Sequence, residues 1–411
     1  MYTPTFEDLV GDEQVFFREH FNTCPLLRRD ALRVPPHDIL GVSDLDQLLS
    51  HDVIRLPYLR VAKGGASVRE ANYSRTLDVQ NETVTDAVDP DRVRELFRSG
   101  ATITWNSINH FRPNLRDLAL MLNEKFASRS DVIAFLTPAG RQGYAPHHDP
   151  VDVFVIQLHG TKEWQLWKTP EHRLDNTGHY DLSELGEPES RIVLRPGDVL
   201  YLPYSTPHVA ATTDTMSLHL SIVVKPRMWR DLLARSVMDI LDTDSQFARF
   251  PGPTAALTDT TTFTTMVDRL VHRLRDIDPG AELVRLRDIG HTTEVDNLPH
   301  NGFTTLAAID MLDSDSSLRL STDIDLAFGD TTDGRTTLVL GTGSVRPGVA
   351  TAPTAASSAT VRVPDRVANT LRALTSDTTI TPVDLYPGVS HERSVSVAKS
   401  LARLGILEVA A

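Results

Sequence analysis

The chain has a single cysteine, Cys24, in 411 residues. No intrachain disulfide can form, so the fold must rest on its core, and a cytoplasmic location is the expectation. Long apolar runs are missing too: none approaches the roughly 18 residues of a membrane helix. The opening Met1-Tyr2-Thr3-Pro4-Thr5-Phe6-Glu7-Asp8 lacks the basic and apolar regions of a secretory signal. Positive charge is scarce. With 41 Lys and Arg against 55 Asp and Glu, the formal net charge is −14. A general nucleic-acid binder needs a basic footprint and is excluded. The acidity suits solubility alone, or a basic partner whose encounter it would speed. No repeat of fixed period is present.

What is present is ordinary for a globular protein: 40% hydrophobic and 23% charged residues, in a chain long enough for two or three domains. The first 90 or so residues are a mixed lead-in. Phe16-Phe17-Arg18-Glu19-His20-Phe21 suits a short amphipathic helix, and Arg92 to Phe97 another. Ala101 to Trp105 is a strand by its β-branched content. Leu115, Leu118, Ala119, Leu122 and Phe126 fall at helical spacing. From Val132 to Val224 the pattern is short strands between Gly/Pro turns: Val132–Leu136, Val151–Leu158, Glu163–Trp167, Arg191–Leu194, Val199–Leu202 and Ser217–Val224. Such spacing points to a double-sheet jelly roll. In the last strand Ser217, His219 and Ser221 share one face, as expected at a barrel mouth.

The period then turns helical. Met228, Trp229, Leu232, Leu233, Val237, Ile240 and Leu241 form one stripe. Phe263, Met266, Val267, Leu270, Val271, Leu274 and Ile277 form another, and a shorter segment runs from Phe303 to Leu312. Stripes with little to pack against point to a homodimer interface or an intrachain bundle. Strands return at Leu318–Ser321, Asp325–Phe328 and Arg335–Leu340, with a hairpin turn at Asp333-Gly334. Ala350 to Thr360 reads as a flexible loop. A helix opens at Pro364 with Val367, Leu371 and Leu374 on one face. A second opens near Ser390 with Val397, Leu401 and Leu404, and Gly405 stops it before a strand at Ile406–Val409. Helix, short segment, helix, strand is a winged-helix pattern. Six basic and five acidic residues from Val361 to Ala411 are too balanced for counterion-driven DNA binding.

The chemistry lies between Thr137 and His208. In an extended chain His147 and Asp149 point the same way, which makes half of a metal site. Arg195-Pro196-Gly197-Asp198 leads a strand and a second turn into His208, the other half. Two histidines and a carboxylate form the facial triad of non-haem Fe(II) oxygenases, with positions open for a 2-oxo acid and dioxygen. His148 and Asp152 compete as a pair on the opposite face. His159, His172 and His179 read as surface or core residues, and His219 as a neighbour of the ligands or of substrate. Lys162 follows a Gly-Thr turn and alternates with Trp164 and Leu166, so it looks inward. A buried ammonium needs an anion. The far carboxylate of 2-oxoglutarate fits, with Thr137 supplying a hydroxyl.

The run Thr137-Pro138-Ala139-Gly140-x-Gln142-Gly143, Pro146-His147-x-Asp149, Asp152-Val153-Phe154, Gln157 and Gly160-x-Lys162-x-Trp164 resembles the JmjC-type ribosomal oxygenases. So do Pro196-Gly197-Asp198-Val199-Leu200-Tyr201 with Thr206-Pro207-His208, and the N-terminal Phe16 to His20 with Pro25-Leu26-Leu27. The resemblance implies a mainly β protein with helices. Residues 1–225 would be a JmjC/cupin jelly roll (a double-stranded β-helix) with its lead-in, 226–313 a helical dimerisation segment and 314–411 a winged-helix-like domain. It implies Fe(II) and 2-oxoglutarate dependence and hydroxylation of a side chain such as His or Arg in a protein, often a ribosomal one. His147, Asp149 and His208 would ligate iron, and Lys162 would bind the 2-oxoglutarate tail. Where relatives often carry Asn and Tyr, this chain has Ile133 and Phe135. That leaves room for a tailoring hydroxylase of a ribosomally made precursor peptide. A non-catalytic cupin-like binding module is the reading from another class. The expected partners are a protein or peptide, basic if the acidic surface steers it, and a second copy of the chain, with no nucleic acid or membrane.

Overall fold

In this computed structural model all residues are described except 1, 52, 174–175, 226, 250–259, 287–302, 322–323, 343–358, 376–377 and 411. The chain forms two compact units, Met1–Gly290 and His291–Ala411.

Among its described residues the first unit is built on fifteen strands: β1 Leu26–Arg28, β2 Leu59–Lys63, β3 Ala66–Ser67, β4 Ser74–Val79, β5 Glu82–Val88, β6 Thr102–Trp105, β7 Ser130–Thr137, β8 His147–His148, β9 Asp152–His159, β10 Lys162–Leu166, β11 Gly178–His179, β12 Ser190–Leu194, β13 Val199–Leu202, β14 His208–Thr212 and β15 Ser217–Val224. One sheet runs β1-β13-β9-β15-β7-β6-β2-β3 and a smaller one β11-β8-β14-β10-β12, while β4 and β5 pair as a hairpin. The two larger sheets form the jelly roll that the strand spacing predicts. Six expected strands are present within one or two residues of their predicted ends, and their pairing is antiparallel.

Alternation decides which side of each strand is dry. On β7, Val132, Ala134 and Leu136 are buried against the helix side, while Ile133 and Phe135 face the other way and stay half-exposed. The helix Pro113–Phe126 starts on Pro113 at its first position and buries Leu115, Leu118, Ala119 and Leu122. These join one core with the outer face of the large sheet. Between the sheets a second cluster packs Val153, Val155, Trp164, Leu166, Leu194, Leu200 and Leu202.

The helix expected from Phe16 is a short turn, Glu13–Val15, that runs into a π-helical turn, Phe16–His20. The wider turn closes with Phe21 N–H donating to the Phe16 carbonyl at 2.8 Å. A spacing of five lets both rings pack on Phe126, with centroids 6.5 and 5.5 Å away.

After the jelly roll come helices Trp229–Thr243 and Thr260–Arg275. The first buries only Ser236 and Ile240, and the second buries none of its residues. Arg269 pairs with Asp244 at 2.8 Å and Arg285 with Asp239 at 2.5 Å, tying the segment together.

The second unit holds helix Phe303–Met311, strands β16 Leu318–Leu320, β17 Ile324–Thr332, β18 Arg335–Thr342, β19 Ala359–Pro364, β20 Thr379–Ile380 and β21 Leu407–Val409, and helices Asp365–Ala373, Pro382–Leu385 and His391–Arg403. Asp333 and Gly334 take φ of 53° and 71° at the β17–β18 turn, as a two-residue hairpin requires. The loop expected over 350–360 lies outside the described residues except at its end, where Ala359 and Thr360 begin β19. The helix from His391 is rotated from expectation: Ser394, Ala398, Leu401 and Ala402 are buried, while Leu404 is exposed. Small residues let it sit close to its neighbours, a preference that apolar spacing does not reveal.

Candidate metal centre

β8 and β14 are neighbours in the small sheet, with His147 directly opposite His208. Opposed residues share a face, so both imidazoles enter the space between the sheets, ring centroids 4.4 Å apart. Asp149 is not on a strand as expected. β8 ends at His148, and Asp149 sits in the turn before β9, where its carbonyl accepts from Ser205 N–H at 3.0 Å. Its carboxylate still faces His147, Oδ2 to Nε2 at 3.5 Å. One ligand atom from each of His147, Asp149 and His208 lies within 4.8 Å of the others.

The histidines are held in one tautomer. His147 Nδ1 lies 2.7 Å from the Ala145 carbonyl and His208 Nδ1 lies 2.9 Å from that of Thr206. A carbonyl only accepts, so each Nδ1 carries the proton and each Nε2 is left with a lone pair toward the common point. Two imidazole nitrogens and a carboxylate oxygen with one open side fit a divalent first-row metal. Burial, together with the nearby His147, pulls the His208 pKa down to about 4. Burial alone would lower His147, but the hydrogen bond and charge of Asp149 outweigh it and raise the pKa. Burial would raise Asp149, and His147 outweighs it in turn, so that carboxyl is lowered. Each of these three groups must present an unprotonated donor atom to a metal, so metal binding and protonation compete here.

The competing pair does not form. His148 is buried on the opposite face, where its Nδ1 meets Tyr180 Oη at 2.6 Å. Asp152 lies in the other sheet and accepts from Tyr201 Oη at 2.5 Å and Tyr204 N–H at 3.2 Å. Burial raises the Asp152 pKa to about 6 against the pull of those bonds.

A cavity of about 610 Å³ opens from the triad. Lys162 lines it and is 3% exposed. Its Nζ donates to Thr137 Oγ1 at 3.2 Å, and Thr102 Oγ1 donates to the same oxygen at 3.2 Å. Thr137 therefore has its own proton left to give. No carboxylate among the described residues pairs with Lys162, and burial lowers its pKa to about 7. His219 stands opposite Phe135 in the β7–β15 register, and the rings stack at 4.9 Å and 2°. Trp164 meets His219 edge-on at 5.7 Å. Burial, then the Lys162 ammonium, holds the His219 pKa well below its ordinary value, and its Nδ1 has no partner. Ile133 and Phe135 also line the cavity.

Sequence reasoning missed much of the rim. β11 pairs with β8, placing Gly178 opposite His148 and His179 opposite His147. His179, expected as a surface or core residue, lines the cavity with Thr177, Tyr144 and Arg60. A two-residue strand leaves no periodic signal to find. His159 and His172 are exposed, as expected.

Residues 106–232 match the JmjC domain family. Over that stretch the chain is similar to a JmjC domain. Within it fall the triad, Lys162 and His219. The chain is similar to Ribosomal oxygenase 1 of Rattus norvegicus, 30% identical over 222 residues, covering 51% of this chain and 35% of that protein. It is 33% identical over 152 residues to the bifunctional lysine-specific demethylase and histidyl-hydroxylase NO66 of Dictyostelium discoideum, covering 36% of this chain and 30% of that one. The chain spans between 35% and 40% of the length of ribosomal oxygenases from rat, zebrafish (Danio rerio) and chicken (Gallus gallus). Among solved structures, YcfD, a ribosomal oxygenase from Escherichia coli in complex with cobalt and 2-oxoglutarate, aligns at a TM-score of 0.49 and 13% identity over 97% of this chain and 98% of that one. No described helix is long and apolar enough to cross a membrane.

Proposed function

We propose that this chain is an Fe(II)- and 2-oxoglutarate-dependent dioxygenase that hydroxylates a side chain, such as His or Arg, in a protein. The observation that carries this reading is the pairing of a two-histidine, one-carboxylate cluster with a buried lysine that has no internal anion. The names of the relatives support it, since they include ribosomal oxygenases and a histidyl-hydroxylase. A ribosomal protein is therefore the first substrate to try.

Iron with 2-oxoglutarate and dioxygen supplies the oxidation that places a hydroxyl on a substrate carbon, with succinate and carbon dioxide released. His147 Nε2, an Asp149 oxygen and His208 Nε2 would hold the metal. The Ala145 and Thr206 carbonyls fix the two rings. Lys162 and the Thr137 hydroxyl would hold the far carboxylate of the co-substrate. Ile133, Phe135 and Trp164 form apolar walls that keep water from the reacting atoms.

The apolar pair Ile133 and Phe135, which lines the cavity, leaves room for a second substrate class, a ribosomally made precursor peptide. A non-catalytic module has no use for an intact triad beside an unpaired lysine. We further read 226–313 as a homodimerisation segment and 314–411 as winged-helix-like, in a cytoplasmic protein with no nucleic-acid partner. Anaerobic addition of Fe(II) and 2-oxoglutarate tests the core of the proposal. A weak visible charge-transfer band should appear and vanish on chelation. A folded, iron-loaded protein without that band would not be this kind of oxygenase.

A further inference from the structure

One cross-strand row runs along the inner wall of the large sheet. Arg60 on β2 is opposite Thr104 on β6, Thr104 is opposite Phe135 on β7, and Phe135 is opposite His219 on β15. Directly opposed residues share a face, and all four line the cavity. The row begins at the solvent end with Arg60, which is exposed and makes no ion pair with another described residue. Glu70, whose charge reaches the same Tyr73 as that of Arg60, does not line the cavity.

The charge inventory of the wall is one-sided. Among the described residues its cations are Arg60 and Lys162, and its sole carboxylate is Asp149. Asp149 is committed to the metal centre on the reading above, and Lys162 to the co-substrate. An entering lysine or arginine would be desolvated beside like charges, with no anion left to pair with it. The rim shows the opposite preference, because a free guanidinium is matched by a carboxylate. The net charge of −14 belongs to surface elsewhere on the molecule.

We propose that the cavity admits an uncharged side chain and that Arg60 pairs with a carboxylate on the same substrate segment, so that the target is a locally acidic stretch of protein. This inference rests on the oxygenase reading and narrows its substrate.

The test is selection of a random peptide library on the full chain loaded with Zn(II), which has no redox chemistry, and 2-oxoglutarate. Enriched peptides should favour Asp and Glu over Lys and Arg. Arg60→Ala should cut that preference by up to about fivefold, the upper size of one solvent-facing ion pair, and Arg60→Glu should turn it toward basic peptides. Basic peptides enriched by the native chain, no enrichment, or a bias unchanged in Arg60→Glu would each overturn the inference. Binding of 2-oxoglutarate is followed on the same preparations by quenching of tryptophan emission, since Trp164 lines the cavity. If 2-oxoglutarate binds and the charge bias is absent, this inference alone falls. If 2-oxoglutarate does not bind the native chain, the oxygenase reading falls and takes this one with it.

Discussion

At the scale of single residues, neighbours in sequence have opposite fates. His147→Ala, Asp149→Ala and His208→Ala should each abolish turnover, because each removes a metal donor. His148→Ala should keep the metal, since its ring lies on the far face against Tyr180. Metal content by elemental analysis and succinate release separate these outcomes. Lys162→Ala should also keep the metal yet bind 2-oxoglutarate more weakly by about 2–5 kcal/mol, roughly thirty-fold to several thousand-fold. Burial lowers the Lys162 pKa to about 7. A carboxylate bound beside it favours the ammonium and raises that value. Binding must therefore take up a proton above about pH 7 and none well below it. Affinity for 2-oxoglutarate should be flat below that pH and fall about tenfold per unit above it. Calorimetry in two buffers of different ionisation enthalpy checks the proton count. No uptake at about pH 8 would mean that Lys162 is already charged in the ligand-free protein.

Among elements, β11 decides the shape of the rim. It is two residues long, yet it sets His179 opposite His147 and brings Thr177 Oγ1 to 3.5 Å from Asp149 Oδ1. It can lie there because Gly178 has no side chain: a Cβ would stand 2.1 Å from His148 Cε1. Gly178→Ala should cost about 1–3 kcal/mol, as overpacking does. The same change in a His148→Ala background should cost much less, because the obstructing ring is gone. Denaturant midpoints of the four proteins measure the coupling, and additive costs would refute the contact. The long strands were legible because Val132, Ala134 and Leu136, or Lys162, Trp164 and Leu166, alternate strictly. The triad and Lys162 were legible because turn residues and alternation fix where a strand begins and which way it faces. β1, β8 and β11 were not, since two or three residues carry no period and are held by partners distant in sequence. For the same reason His179 gave no sign that it reaches the cavity.

For the whole molecule, the helices after the jelly roll carry a run of exposed apolar side chains. Trp229 is 70% and Phe263 71% exposed, and Leu233, Met238, Val267 and Val271 are exposed beside them in sequence or spacing. Phe263, Val267 and Val271 stand four apart on a helix that buries none of its residues. Such a stripe calls for a partner, and a second copy supplies the same stripe by symmetry. Several charges on these helices are paired within the chain: Arg235 faces Asp239, and both Arg269 and Arg273 face Asp244. Each copy carries −14, so two copies repel at long range. Association must then come from apolar burial against that repulsion. Light scattering at micromolar concentration should give a dimer, and Trp229→Asp with Phe263→Asp should give a monomer that still binds metal. The salt dependence distinguishes the driving force. Screening weakens repulsion and leaves apolar burial intact, so added salt should tighten the dimer or leave it unchanged. A dimer that salt dissociates would be held by ion pairs between copies, and the apolar stripe would not be its interface.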